Sequence, residues 1–174
     1  MVIIKKILII GFAILLLTGC DLTSKRFAKQ ELKGKNVRSY IGGNLKLFYT
    51  ENPAGMLGLG EELPEQTRFF IFVILTSVLL LFLYIYIVLK KDIGRWHLVA
   101  FVLFLSGGFG NLIDRIIHSG KVTDFIVIEF SSLHTGIFNI ADLYVTIGVI
   151  IFIISHFYQM RKDPKEKLPI DYSI

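Results

Sequence analysis

Cysteine is almost missing from this sequence: Cys20 is the only one. An internal disulfide and any multi-cysteine metal site are therefore excluded. The four histidines lack metal-ligand spacing, and neither an internal repeat, a low-complexity tract nor a glycine-rich phosphate loop is present. Charge is sparse as well, at 19% of residues against 53% hydrophobic, and the mean hydropathy is +0.64. That balance is too apolar for a soluble domain of ordinary charge content and identifies a membrane chain. The net charge of +5 is not a nucleic-acid signal, because the lysines and arginines gather at the ends of apolar runs, where they meet lipid headgroups.

The apolar runs set the layout. Phe69 to Leu89 carries no charge and is long enough to cross a ~30 Å hydrocarbon core as a helix. Trp96 to Ile113 and Ile137 to Phe157 are further runs with polar residues at one end, and Ile7 to Cys20 reaches spanning length by continuing through Leu22. The expectation is one integral membrane domain over 1–174, an all-α bundle of four transmembrane helices with a small extracytoplasmic β platform. The spans are expected at about 5–22, 69–89, 96–114 and 137–158, and the outer segments at about 23–68 and 115–136. Gly107, Gly108 and Gly110 form a helix face suited to close packing in lipid. Alternation from Leu45 to Thr50 and the β-branched and aromatic run from Val122 to Phe130 read as strands, and Lys25 to Lys33 as a short interfacial helix or a solvated charged turn.

Three basic groups share one side: Lys5 and Lys6; Lys90, Lys91 and Arg95; and Arg161, Lys162, Lys165 and Lys167. The positive-inside rule assigns that side, and both termini, to the cytoplasm. The first outer segment carries eight basic residues of its own, but they are mixed with Glu31, Glu51, Glu61, Glu62 and Glu65. In this layout the polar residues at membrane depth converge on the outer face. Asp21 ends the first span, Asn111, Asp114 and Arg115 end the third, Asp124 follows, and Asn139 and Asp142 begin the fourth. Carboxylates and amides at that depth cost several kcal/mol unless they pair or line a wet cavity, so the convergence is a functional-site expectation by itself.

Five short motifs in order give the chain a resemblance to the lipoprotein signal peptidases, or signal peptidase II. They are Asp21-Leu22-Thr23-Ser24-Lys25, Asn52-Pro53-Ala54-Gly55, Gly110-Asn111-Leu112-Ile113-Asp114-Arg115, Val122-Thr123-Asp124-Phe125 and Phe138-Asn139-Ile140-Ala141-Asp142. The second departs from the family pattern, its glycine standing one residue late. The resemblance implies an aspartic peptidase of the bacterial cytoplasmic membrane, its site on the outer side. It would cut prolipoproteins just before a cysteine that already carries diacylglyceryl. Asp124 and Asp142 align with the catalytic dyad. Asn111, Asp114, Arg115 and Asn139 would orient it, and Asp21, Lys25, Asn52, Gly55 and Ala141 would support the site or hold substrate. The implied partners are the prolipoprotein and membrane lipid, with no nucleic acid, cofactor or metal, and a single chain is expected to act alone.

Simpler readings compete. Asp142 alone reads as a helix N-cap, and Asp114 with Arg115 as a structural ion pair. The histidines read as surface or boundary residues. Intramembrane carboxylates also serve ion-coupled transporters, although here the inner halves of the spans are apolar. Leu17-Thr18-Gly19-Cys20 itself looks like a lipoprotein processing site, which would make this a lipid-anchored protein beginning at Cys20.

Overall fold

The computed structural model describes residues 3–55, 58–131 and 133–162. Lys165 and Lys167 of the last basic group lie outside them. Among the described residues, four helices are long and apolar enough to cross a membrane: α1 (Ile3–Leu32), α2 (Glu65–Leu89), α3 (Arg95–Ile117) and α4 (Ile140–Lys162). A four-stranded antiparallel sheet caps one end of the bundle, with β1 (Arg38–Tyr40), β2 (Leu45–Asn52), β3 (Val122–Phe130) and β4 (Leu133–His134) in that order. The helical bundle with a small β platform is the architecture the sequence pattern led us to expect.

Helix α1 does not stop where its apolar run stops. It continues to Leu32 through the segment expected to form a separate interfacial helix or a turn. Its buried residues explain why: Lys6, Ile10, Ile14, Thr18, Asp21, Lys25, Ala28 and Leu32 recur every three or four positions and form one stripe. The stripe starts at Lys6, is apolar at Ile10 and Ile14, polar at Thr18, Asp21 and Lys25, and apolar again at Ala28 and Leu32. Those last two pack with Phe125 of β3 in a small second core that seats the sheet. The main core joins Ile10 and Ile14 to Val73, Leu80, Ile87, Leu105 and Leu112 across α1, α2 and α3.

Glycine sets the helix spacing. A Cβ on Gly107 would run into the Ala141 carbonyl of α4, and one on Gly148 would meet the Ala100 carbonyl of α3 at 2.8 Å. Each of these two helices thus offers a glycine to the other's backbone, the close approach that small residues permit where lipid supplies no hydrophobic drive. Gly108 faces Leu80, and Gly110 faces the Asp21 carboxylate and Ala141. After α3, the backbone turns back at Gly120 (φ +87°), whose N–H reaches the Arg115 carbonyl at 2.8 Å. This reversal returns β3 beside the end of α3. There β3 pairs with β2 in a register that sets Thr50 opposite Asp124 and Asn52 opposite Val122, past a bulge between Leu47 and Thr50.

At the opposite end, the Lys6 ammonium donates to the Lys90 carbonyl at 2.6 Å. The start of α1 and the end of α2 therefore lie together, and the sheet, with Asp21, Asn111, Asp124, Asn139 and Asp142, is at the other end.

Candidate functional site

Asp124 projects from the buried start of β3, where Val122, Thr123, Asp124 and Phe125 are all enclosed. Asp142 sits in the first turn of α4. The link between them is Asn139. Its side-chain amide donates to Asp124 Oδ1 at 2.6 Å. Its Oδ1 accepts the Asp142 N–H at 3.0 Å, while its own N–H donates to Asp142 Oδ2 at 3.1 Å. That exchange is a capping box, so the helix start itself fixes Asp142 relative to Asn139. The N-cap is therefore Asn139, where the simpler reading had Asp142; Asp142 is the third helical residue, which bonds back to the cap, and that structural role coexists with its place on the cavity wall.

The other donors complete the set. Asn52 Nδ2 donates to Asp124 Oδ2 at 2.9 Å, and Asn111 Nδ2 donates to Asp142 Oδ1 at 2.8 Å. Every oxygen of the two carboxyl groups therefore accepts one N–H, and each keeps a lone pair for something else. Burial pushes the Asp124 carboxyl up to about 6; the Asp142 charge adds to the rise, against the amides of Asn52 and Asn139 and the charge of Lys25.

Asp124 and Asp142 both line a cavity of about 270 Å³. Asn52, Gly55, Asn111 and Arg115 share that lining, and Ile137, Phe138 and Leu143 give it an apolar side. The remaining candidates stand behind the wall. Lys25 is 3% exposed and Asp21 is fully buried, and their ion pair spans one helical turn at 2.9 Å. Lys25 also donates to Asn111 Oδ1 at 2.8 Å and lies 3.6 Å from Asp114. Asp21 Oδ1 accepts the Ala141 N–H at 2.8 Å. Both residues thus brace α3 and α4. Thr23 and Ser24, which separate them in the motif, only return hydrogen bonds to carbonyls of their own helix.

Asp114 and Arg115 do not form the ion pair considered above. Successive helix positions point apart. Asp114 Oδ2 accepts the Thr123 N–H at 2.6 Å, which ties the residue before Asp124 to α3. Arg115 turns the other way, donating to the Ala54 carbonyl at 3.1 Å and lying over the Phe72 ring at 5.1 Å. In the departing motif, Asn52 Oδ1 accepts the Ala54 N–H at 2.9 Å, a tight turn that holds the amide toward Asp124. Gly55 follows with its N–H on the Leu59 carbonyl, and a Cβ there would touch the Phe72 ring at 3.0 Å.

The comparisons with known proteins agree with one another. The pattern of the family described as Signal peptidase (SPase) II matches residues 13–158. The chain belongs to the signal peptidase II family. Among its relatives, the lipoprotein signal peptidase of Streptococcus pneumoniae is 31% identical over 151 residues, covering 87% of this chain and 94% of the relative. That of Borrelia hermsii is 29% identical over 133 residues, covering 74% and 77%. A solved structure described as a bacterial membrane enzyme, determined by the in meso method at 2.3 Å, superposes with a TM-score of 0.74 at 27% identity. It covers 93% of each chain. Membership of a signal peptidase family makes the chain a peptidase, and its four spanning helices make it a multi-pass membrane protein.

Two features of this candidate site escaped the sequence reading. His118 was read as a boundary residue. Its Nδ1 lies 2.7 Å from Asp114 Oδ1 and its Nε2 lies 3.3 Å from the Lys29 ammonium, so it bridges α3 to α1. The four-residue spacing from Asp114 was the signal that could have found it. The stretch 135–138 is the second: it forms a wall of the cavity, and Phe138 pairs with Ile126 as a bridge at the sheet edge. As for Cys20, α1 runs unbroken through it, with the side chain exposed, while Thr18 and Asp21 on either side bond to α3 and α4.

Proposed function

We propose that this chain is a membrane-embedded aspartic endopeptidase that removes the signal peptide from bacterial prolipoproteins, cutting just before a diacylglyceryl-modified cysteine. The observation that carries the reading is the coupling of Asp124 and Asp142 through Asn139 on the wall of one cavity. Two carboxyl groups in one poorly hydrated site cannot both ionise easily, and such a pair holds a single proton. In this reading Asp124, the member raised by burial, carries that proton, and Asp142 serves as the base. Asp142 takes a proton from a water molecule as the water attacks the scissile carbonyl. Asp124 donates a hydrogen bond to the oxygen on which negative charge develops. Four amide donors hold the carboxyl oxygens in place, so their free lone pairs and the shared proton face the cavity without rearrangement.

Asp21, Lys25, Asp114, Asn139 and Ala141 act in this reading as the scaffold of the pair, and Asn52, Gly55, Asn111 and Arg115 as the wall that meets the peptide. The apolar side at Ile137, Phe138 and Leu143 suits a substrate whose acylated cysteine stays in lipid. The basic groups at the other end favour an orientation with that end in the cytoplasm and the cavity toward the outer side of the bacterial cytoplasmic membrane.

The test is a cleavage assay with the purified chain in defined lipid, supplying a prolipoprotein with and without its diacylglyceryl group. The expected result is cleavage of the modified form alone, giving a product whose mass begins at the acylated cysteine. Equal cleavage of the unmodified form, or a cut elsewhere, would overturn the proposal.

A further inference from the structure

A second cavity, of about 280 Å³, lies at the end of the bundle opposite the aspartates. Its polar lining comes from Tyr86, Lys90, Asp92, His97, His156 and Gln159. Deeper along the same helices is a notch of about 200 Å³ with a wholly apolar lining that includes Leu83, Ala100, Phe104 and Val149. The two adjoin, because Phe101 and Phe152 line both. Their rings stand 5.5 Å apart, and Phe152 carries His97 edge-on at 5.2 Å and His156 stacked at 6.0 Å.

We infer that this composite cavity is a binding site for one anionic phospholipid with a hydroxyl-bearing head group, seated in the leaflet opposite the aspartate site. A notch with no polar lining, open between membrane-spanning helices, offers nothing to a water-soluble ligand, whereas an acyl chain fills it with matching apolar surface. Its depth fits one: Phe104 lies nine residues along α3 from Arg95, roughly 14 Å of helix, about half of the hydrocarbon thickness. The head-group end supplies donors. The Lys90 ammonium is already directed by the Tyr86 hydroxyl at 2.8 Å, and both histidines and Gln159 line the same cavity. A phosphate diester accepts hydrogen bonds from all of these, and basic pockets between helices are where anionic head groups bind. Asp92 is the one carboxylate of the lining. It opposes a bare phosphate but accepts hydrogen bonds from head-group hydroxyls, which makes phosphatidylglycerol the natural probe. Lys91 in the preceding loop and Arg95 at the start of α3 add favourable charge at this end of the bundle.

Native mass spectrometry of the full chain released from detergent, titrated with phosphatidylglycerol or phosphatidylcholine, tests the site. The wild-type chain should retain one phosphatidylglycerol with about fivefold preference over phosphatidylcholine, the scale of one basic group acting near a membrane surface. The double variant Lys90→Glu/His156→Glu should lose that preference. Val149→Trp, which fills the notch from an exposed position, should lower retention of both lipids. Millimolar inorganic phosphate should displace nothing. Equal retention of the two lipids by the wild-type chain would overturn the inference, as would undiminished retention by the variants. Displacement by phosphate would also overturn it, by making the cavity a site for the free anion.

Discussion

The two ends of α3 obey different rules. From Arg95 to Leu105 the helix is held by apolar contacts, and Ala100 and Leu105 are buried among side chains that ask only for shape. From Ser106 to Arg115 it is held by groups with few permitted partners: Thr18 on the Ser106 carbonyl, Asp21 against Gly110, Lys25 on Asn111, Thr123 on Asp114. In lipid, apolar contacts between helices gain little over contacts with acyl chains, whereas an unpaired buried charge costs several kcal/mol. The polar end is therefore where geometry is specified, and it is the end that carries the aspartates.

The comparison is broken most sharply by removing the acids. Asp124→Asn and Asp142→Asn should each lower the cleavage rate by roughly three orders of magnitude while thermal unfolding in detergent stays close to wild type. Full activity in either variant would separate the polar end from the chemistry. Lys25→Ala should have the largest effect on stability, about 3–5 kcal/mol, because it strands the Asp21 and Asp114 carboxylates in the bundle. Thermal unfolding reads it, and a change under 1 kcal/mol would mean that water or a protonated carboxyl already relieves the cluster. In the apolar half, Leu105→Ala should cost roughly 2 kcal/mol by leaving a void, with cleavage per folded molecule unchanged.

The smallest effect is on pH. Asp124 is raised, so the proton that the proposed mechanism places on it is present at low pH and lost as pH rises through about 6. The Asn52 amide favours the charged form, so Asn52→Ala should move the alkaline limb of the cleavage profile upward by up to about one pH unit. A downward move would contradict that sign.

How much of this was readable without coordinates depended on the kind of signal. The helices followed from charge-free runs such as Phe69 to Leu89, because lipid forbids an unsatisfied backbone. The strands around Leu45 and Val122 followed from alternation and β-branching. The end of α1 did not. Lys25 and Lys29 looked like a water-facing segment, and only the partners at Asp21, Asp114 and His118 make burial of that face tolerable. The gathering of Asp21, Asn111, Asp114, Asp124, Asn139 and Asp142 at one end was legible from their places in the spans. Their division into a cavity wall and a bracing layer was not, because it depends on which way each side chain turns from its helix. Asp114 and Arg115 show this best: adjacent in sequence and opposite in charge, they bond to different elements.

The single proton that the proposed mechanism assigns to the pair is tested directly by isotope-edited infrared spectroscopy of the aspartate carboxyl groups across pH. The wild-type chain should show a protonated-carboxyl band that disappears as pH rises through about 6, that is absent in Asp124→Asn, and that shifts to lower pH in Asp142→Asn as the neighbouring charge is removed. A wild-type spectrum with every aspartate deprotonated by the ordinary carboxylate range, near pH 4, would contradict the pairing on which the proposed hydrolysis rests.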